Sequence, residues 1–182
     1  MEDYAYILDF LPQGLPDDRR FKREPVAYAI GEEKFKLFEL TPKPNVSLTV
    51  GDRVYIGKDI AKRLEILQVK RRVSWPDLTN SAQGEIPFVI AQIVKAREAE
   101  FTKFFNEARA ITTRFHMLEL LPGMGKKTMW AMVEERKKRP FQNFQDIGER
   151  VPTVHHPEKL IARRVEQEIA EADQKYHLFV AK

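Results

Sequence analysis

Leu121-Pro122-Gly123-Met124-Gly125-Lys126-Lys127 is the stretch that decides how the second half of the chain is interpreted. Proline fixes its own φ and glycine tolerates a positive φ, so the Pro-Gly pair predicts a tight turn. Apolar residues at helical spacing flank this turn on both sides, and Met124 can point inward between them. The pattern predicts two helices joined by a compact hairpin.

The hairpin also predicts an anion site at the start of its second helix. The first N–H groups of a helix lack acceptors within the helix and lie at the positive end of its dipole. Glycines allow close approach, and lysines add charge, so a phosphate oxygen is favoured there. The residues predicted to form this site are Gly123, Met124, Gly125, Lys126, Lys127 and Thr128. The alternative is an ordinary helical hairpin with a Pro-Gly turn.

Helical periodicity continues around the hairpin. From Ile86 onward, apolar residues recur at i, i+3 and i+4, which predicts a helix to about Arg109. Breakers at Pro122-Gly123 and Pro140 divide the remainder. Further helices are predicted at about 111–121, 126–138, 144–151 and 157–174, and residues 176–180 as a short strand or a packed tail.

Two segments resemble parts of a known domain. Residues 118–133 resemble a helix-hairpin-helix unit of DNA repair, recombination and DNA-uptake proteins, and residues 139–151 resemble the connector of tandem units. A second hairpin would fall at 151–157, but Thr153 and His155 replace its glycines. The resemblance therefore implies a tandem helix-hairpin-helix domain in which only the first hairpin contacts phosphate.

The same resemblance implies a candidate ion site. Some hairpins of this class hold a monovalent cation on backbone carbonyl oxygens. The corresponding carbonyls here belong to Glu119, Leu121 and Met124.

The first seventy residues predict β structure. Aromatic and β-branched runs, broken by glycine and proline, predict strands at about 4–11, 25–30, 34–40, 51–57 and 64–73. Five short strands favour a small OB-like barrel, with another small β fold as the competitor. The predicted fold class is α+β. Its predicted parts are a barrel (1–73), a polar linker (74–85) and a helical domain (86–182).

Two basic clusters lie in the predicted barrel. Arg19, Arg20, Lys22 and Arg23 flank Phe21 in the first loop, and Lys70, Arg71 and Arg72 end the last strand before Trp75. Basic grooves with stacking aromatics bind single-stranded nucleic acid, so both clusters are predicted nucleic-acid contacts. For the first cluster the alternative is a solvated loop, because acidic residues flank it.

Charge supports an anionic partner near the hairpin. The whole chain carries a formal net charge of +4. Residues 86–139 alone hold eleven Lys or Arg against six Asp or Glu. The positive excess is thus concentrated around the first hairpin.

Several function classes are excluded or disfavoured. The chain has no cysteine, so disulfides and thiolate zinc sites are ruled out. No signal peptide or membrane span is recognisable, and we expect a cytoplasmic protein. No phosphate-binding loop, nucleophile elbow or carboxylate pair stands in a known motif, so we expect no enzymatic activity and no cofactor. Near His155-His156 only Glu158 could add a further metal ligand, so a metal site is disfavoured.

The chain as a whole resembles an uncharacterised archaeal domain-of-unknown-function family. Its members combine an OB-like barrel with this helical domain and are described as RNA- or DNA-binding. The expectation is a non-enzymatic protein that grips the phosphate backbone of RNA or DNA without sequence preference. A protein-interaction module of the translation or repair machinery is the alternative, and a nuclease is a weaker third.

Overall fold

The computed structural model describes residues 1–16, 19, 23–171 and 173–181, and the chain divides into two units. The sheet unit contains residues 1–89 and 168–182, and the hairpin unit contains residues 90–167. The predicted division placed all residues after 86 in one helical domain. The C-terminal residues instead group with the sheet, where the Arg72 guanidinium donates to the Ala181 carbonyl at 3.0 Å.

Five antiparallel strands form the sheet, in the order β4-β1-β2-β3-β5. All five correspond to predicted strands, with ends shifted by at most three residues. Their bounds are β1 Tyr4–Leu11, β2 Val26–Gly31, β3 Leu37–Pro42, β4 Arg53–Tyr55 and β5 Ile66–Val73.

One core cluster of the sheet unit lies on one face of this sheet, and the opposite face is buried as well, because all six residues of β2 are buried. Alanines alternate with larger residues in this cluster: Ala27 is paired with Leu40, and Ala29 with Phe38. Small side chains on β2 leave room for the sheet to curl around its own apolar face. No pairing joins β4 to β5 within the described residues, so the sheet is a half-barrel with two edges. This confirms the mixed α+β class; the OB-like assignment stays a prediction.

The predicted helix at 86–109 is two helices, α1 Asn80–Ala96 and α2 Glu98–Glu107. The first begins six residues early, because the Thr79 hydroxyl accepts the Ala82 N–H at 3.1 Å and caps it. The segment predicted as a linker, 74–85, therefore contains a short 3-10 helix at Trp75–Asp77 and the first turn and a half of α1.

The predicted helix at 111–121 is wrong. Residues Ala110–Thr112 (β6) pair with Phe115–His116 (β7), and a 3-10 helix follows at Met117–Leu120. The run Ile111-Thr112-Thr113 is β-branched and favours extended backbone over a helix. The apolar spacing that suggested a helix instead reflects burial of Leu118 and Leu121 in the hairpin unit.

The remaining helices agree with the prediction. They are α3 Lys126–Lys138, α4 Phe144–Arg150 and α5 Pro157–Ala170, the last ending four residues early. The tail after α5 has no regular structure in its described part. It packs by donating the N–H groups of Leu178, Phe179 and Val180 to the buried Glu168 carboxylate, at 2.5, 3.0 and 2.9 Å. None of the described helices is both long and apolar enough to cross a membrane.

Candidate nucleic-acid interface

A tight turn connects the 3-10 helix to α3. The Met124 N–H donates to the Leu121 carbonyl at 3.0 Å, with Pro122 and Gly123 at the two central positions. Gly123 has φ +90°, the left-handed value that the third residue of a type II turn requires. Glycine is needed here because a Cβ would strain this backbone.

Met124 turns inward, as the sequence predicted. Its side chain is 6 % exposed, and its neighbour Leu121 is 1 % exposed. The next helical hydrogen bond runs from the Met129 N–H to the Gly125 carbonyl at 2.9 Å. The apolar anchor therefore fixes where α3 begins, and residues 125–127 remain exposed just beyond it.

The start of α3 lacks the residues that most stabilise the beginning of a helix. Gly125 occupies the N-cap position and supplies no capping side chain, and the first turn contains two lysines and no acid. The other helices that begin within the hairpin unit, α2, α4 and α5, each carry an acidic residue in the first turn. Positive charge beside the positive end of a helix dipole is unfavourable, so α3 alone carries this arrangement among those described helices.

Gly125 is not required by the fold. Its φ is −81°, which any residue adopts, and a Cβ built on it meets no atom of the described residues within 4 Å. The space beside its Cα is therefore open. An incoming phosphate could approach the backbone at this point without displacing a side chain.

The two lysines have different surroundings. The Lys126 ammonium donates to the Arg114 carbonyl at 2.7 Å and pairs with the Glu119 carboxylate at 3.0 Å. The His116 N–H and then Lys126 lower the pKa of Glu119, which keeps it ionised. Lys127 is exposed, and no ion pair or hydrogen bond of its side chain occurs within the described chain. Lys127 is therefore the freer phosphate ligand.

Two residues beside the hairpin were not predicted from the sequence. Trp130 lies one turn after Lys126 and is 56 % exposed, unusual for a residue of this size. Together with Arg114 and Lys126 it lines a small concavity of about 70 Å³. The exposure of Trp130 could have been predicted, because adjacent residues of a helix point to different sides and its neighbour Met129 is buried.

The second hairpin repeats the turn but not the site. The Val154 N–H donates to the Val151 carbonyl at 2.8 Å, as Met124 does to Leu121. Thr153, which takes the place of Gly123, has no positive φ. The helix that follows has Glu158 in its first turn, where it lies 3.4 Å from His156. An acid at this helix start opposes a phosphate, in line with the prediction that this hairpin is structural.

The residues predicted to hold a monovalent cation lie around the first turn. The Leu121 carbonyl closes the turn, and the buried Arg164 guanidinium donates to the neighbouring Leu120 carbonyl at 3.4 Å. The positively charged Arg164 thus already donates to a carbonyl directly before this turn. Occupancy by an ion at Glu119, Leu121 and Met124 stays a prediction.

The predicted contacts of the sheet unit are mostly engaged internally. Lys70 and Arg71 both pair with Glu39, which is 2 % exposed, at 3.4 and 2.6 Å. The hydrogen bond from the Arg71 guanidinium to the Glu39 carboxylate raises the pKa of Arg71. Arg72 donates to the Ala181 carbonyl at 3.0 Å. Of the first cluster, Arg19 and Arg23 are exposed, and Arg20 and Lys22 lie outside the described residues.

His116 gives the hairpin unit a pH dependence. Its neutral Nδ1 accepts the Leu118 N–H at 3.0 Å and caps the 3-10 helix. Burial, and then the charge of Arg136, lowers the pKa of His116 from its ordinary value of 6.5. Because the folded pKa is the lower one, the unfolded chain binds the proton first. The stabilisation is present above pH 6.5 and is lost as the pH falls through the depressed folded value.

We therefore expect the free energy of unfolding to fall by about 1 kcal/mol as His116 becomes protonated, the usual value of a cap. Urea unfolding between pH 7.5 and 5 measures this fall. His116→Asn retains a capping acceptor that does not titrate, so its stability should depend less on pH. An identical pH dependence in both proteins would contradict the role of His116.

No group of three or more His, Asp or Glu side chains suited to a metal ion occurs among the described residues.

Comparison with known proteins places the chain among archaeal relatives. The family model described as "Protein of unknown function (DUF655)" matches residues 1–181. An uncharacterized protein of Methanocaldococcus jannaschii is 44 % identical over 180 residues, which cover 98 % of this chain and 80 % of that protein. A crystal structure of a DUF655 protein from Archaeoglobus fulgidus is 50 % identical, with a TM-score of 0.93, covering 99 % of this chain and 100 % of that one.

Proposed function

We propose that this chain, which belongs to the DUF655 family, binds the phosphate backbone of RNA or DNA through its first hairpin. The observation that carries the proposal is the start of α3. That helix begins with an open glycine and two lysines, where stability alone would favour a capping side chain and an acid. Local rules are typically broken where function requires it.

The chemistry of this helix start suits a phosphodiester. The N–H groups of Lys126, Lys127 and Thr128 precede the first N–H that has a helical acceptor, that of Met129. A phosphate oxygen can accept from them beside the open face of Gly125. The Lys127 ammonium then adds a charge-assisted contact. Such contacts go to the backbone, so binding without sequence preference is expected.

Neighbouring residues extend the surface. Arg114, whose carbonyl holds Lys126, is itself exposed and adds positive charge next to α3. Trp130 presents an exposed ring on the same concavity, where a base or sugar could contact it. Trp130 also gives the proposal an intrinsic fluorescent reporter close to the bound phosphate.

The test is a salt series. Binding of labelled duplex DNA, single-stranded DNA and structured RNA is measured by fluorescence anisotropy at several salt concentrations, with Trp130 emission as a second readout. The double variant Lys126→Ala, Lys127→Ala should weaken binding of every sequence and flatten the salt slope by at most about two. Lys127→Ala alone should account for most of this, because Lys126 is held by Glu119.

The matched control lies at the other end of the same helix. Lys137→Ala with Lys138→Ala removes the same charge, but these lysines pair with Glu134 and Glu135. This variant should bind almost like the unmodified protein. Equal weakening by both double variants would mean that net charge and not the hairpin is responsible. Absence of binding to all three nucleic acids at low salt would refute the proposal.

A protein-interaction module is the second candidate. It is favoured by two large apolar residues of the sheet unit, Ile60 and Leu64, each 73 % exposed and four residues apart. Large exposed apolar surface is typical of docking sites when it is contiguous. A stoichiometric protein partner that survives nuclease treatment, and is lost in Ile60→Ser with Leu64→Ser, would favour this function over the first.

A further inference from the structure

The open side of the half-barrel contains a basin that the hairpin function does not use. Its lining residues come from β5 and the chain after β4, the two sheet edges that do not pair within the described residues, and also from the start of β3 and the residues before β1. Its volume is about 510 Å³, within the usual range of small-ligand sites. All of its lining residues belong to the sheet unit.

The walls of the basin are strongly cationic. Four basic residues line it, Lys36, Lys58, Arg63 and Arg72, against a single acid, Glu2. Glu2 is already engaged, because its two carboxylate oxygens accept the N–H groups of Glu33 and Lys34, each at 2.8 Å. Four cations against this one carboxylate leave the lining with an excess of positive charge.

Part of this charge is preorganised. The Arg63 guanidinium donates to the Gly57 carbonyl at 2.8 Å and to the Ile56 carbonyl at 3.3 Å, which fixes its direction. The Lys36 and Lys58 ammonium groups have no ion pair or hydrogen bond among the described residues. Arg72 makes a hydrogen bond to the Ala181 carbonyl at 3.0 Å, and a guanidinium has five N–H donors, so it can still contact a ligand. Two guanidinium groups and two lysines can hold several phosphate oxygens at once.

The remaining lining is apolar. Phe38 on β3 and Val69 on β5 are half-buried and pack against the sheet core, and Ile56 is buried beside them. The phenyl ring of Phe38 borders the basin, and an aromatic ring pairs favourably with a flat heterocycle. The ligand that fits is thus a molecule with a flat, weakly polar ring at one end and several negative charges at the other.

We propose that this basin binds a nucleoside polyphosphate, with the base on Phe38 and the phosphates between Lys36, Lys58, Arg63 and Arg72. A free polyphosphate would use the cations but leave the apolar lining uncovered. A single phosphodiester would carry too little charge for four cations. The site is separate from the first hairpin, which belongs to the other unit.

Isothermal titration calorimetry of the full chain with GTP, ATP and inorganic tripolyphosphate, without added Mg²⁺, tests the proposal. At least one nucleoside triphosphate should bind more tightly than tripolyphosphate. Lys36→Ala with Lys58→Ala should raise its Kd about tenfold or more, which corresponds to the loss of one good contact. Phe38→Leu should weaken the nucleoside triphosphate several-fold and leave tripolyphosphate unchanged.

Lys34→Ala with Lys62→Ala is the matched control, because both lysines are exposed and neither lines the basin. It should leave the Kd unchanged, as should Lys127→Ala in the hairpin. The proposal is overturned if neither triphosphate binds, if tripolyphosphate binds as tightly as both, or if either control weakens binding as much as the basin variant. Binding that occurs only with oligonucleotides would also overturn it.

Discussion

Replacing Gly125 by valine should weaken nucleic-acid binding by at least about tenfold, the loss of one good contact, while the protein stays folded. The valine side chain would occupy the open space beside the first N–H groups of α3, where the phosphate is proposed to sit. The backbone at Gly125 has an ordinary extended conformation, so valine adopts it without strain. The free energy of unfolding should therefore fall by at most about 1 kcal/mol, the difference between N-cap residues.

The equivalent position in the second hairpin supplies the control. His155 is exposed and lies where Gly125 would be, but the helix after it starts with an acid. His155→Val should leave nucleic-acid binding unchanged. Anisotropy titrations give the Kd values, and urea unfolding shows that both variants are folded. If the folded Gly125→Val protein bound nucleic acid with wild-type affinity, the start of α3 would not be part of the interface.

This combination of effects separates function from stability at one turn. Gly123 is required by its positive φ, and Met124 by its burial, so both positions serve the fold. Gly125 supplies no capping side chain, and the positive charge of Lys127 is unfavourable at the start of a helix. A turn selected only for stability would keep the first pair and replace the second. The second hairpin keeps the inward apolar residue at Val154 and has lost both glycines.

Local chemistry explains what the sequence could predict. Strand alternation and turn residues placed all five strands of the sheet, and the Pro-Gly turn placed α3 and the inward Met124. These features depend on neighbours a few residues apart. The helix predicted at 111–121 failed because β6 and β7 pair with each other, which outweighed the apolar spacing of Leu118 and Leu121.

Contacts distant in sequence explain the rest. Lys70 and Arg71 looked like a free basic cluster, but strand register places Glu39 beside them, about thirty residues away. The hydrogen bond from Lys126 to the Arg114 carbonyl likewise depends on the β6–β7 strand pair, which the sequence did not predict. A run of basic residues therefore indicates a free basic surface only after the acidic residues that pair with it have been located.

Among the side chains of the hairpin unit that reach the surface, Arg150 is the one whose removal should destabilise the unit most. It lies at the end of α4, and its guanidinium donates to the Glu135 and Arg139 carbonyls at 2.5 and 2.7 Å. The Glu135 carbonyl lies in the last turn of α3 and also accepts the Arg139 N–H at 3.4 Å, and the Arg139 carbonyl lies at the C-cap. Carbonyls at the end of a helix run out of helical N–H donors, so a side-chain donor is favoured there. The same group pairs with Asp146 at 3.1 Å and lies over the Phe141 ring. One side chain thus joins the helix of the first hairpin to the first helix of the second.

We expect Arg150→Ala to lower the free energy of unfolding by about 2–4 kcal/mol, since hydrogen bonds of a charged group contribute about 1.5–3 kcal/mol each and are not additive. Its side chain is 13 % exposed, so solvent replaces these contacts poorly. Arg150→Lys should recover less than half of the loss, because an ammonium cannot span two carbonyls and a carboxylate as the planar fork does. Arg163→Ala, on the exposed face of α5, is the control and should cost less than about 0.5 kcal/mol. Urea unfolding of the four proteins tests this. If Arg150→Ala unfolds like Arg163→Ala, Arg150 does not hold the two hairpins together; if lysine restores full stability, charge alone and not the forked contact holds them together.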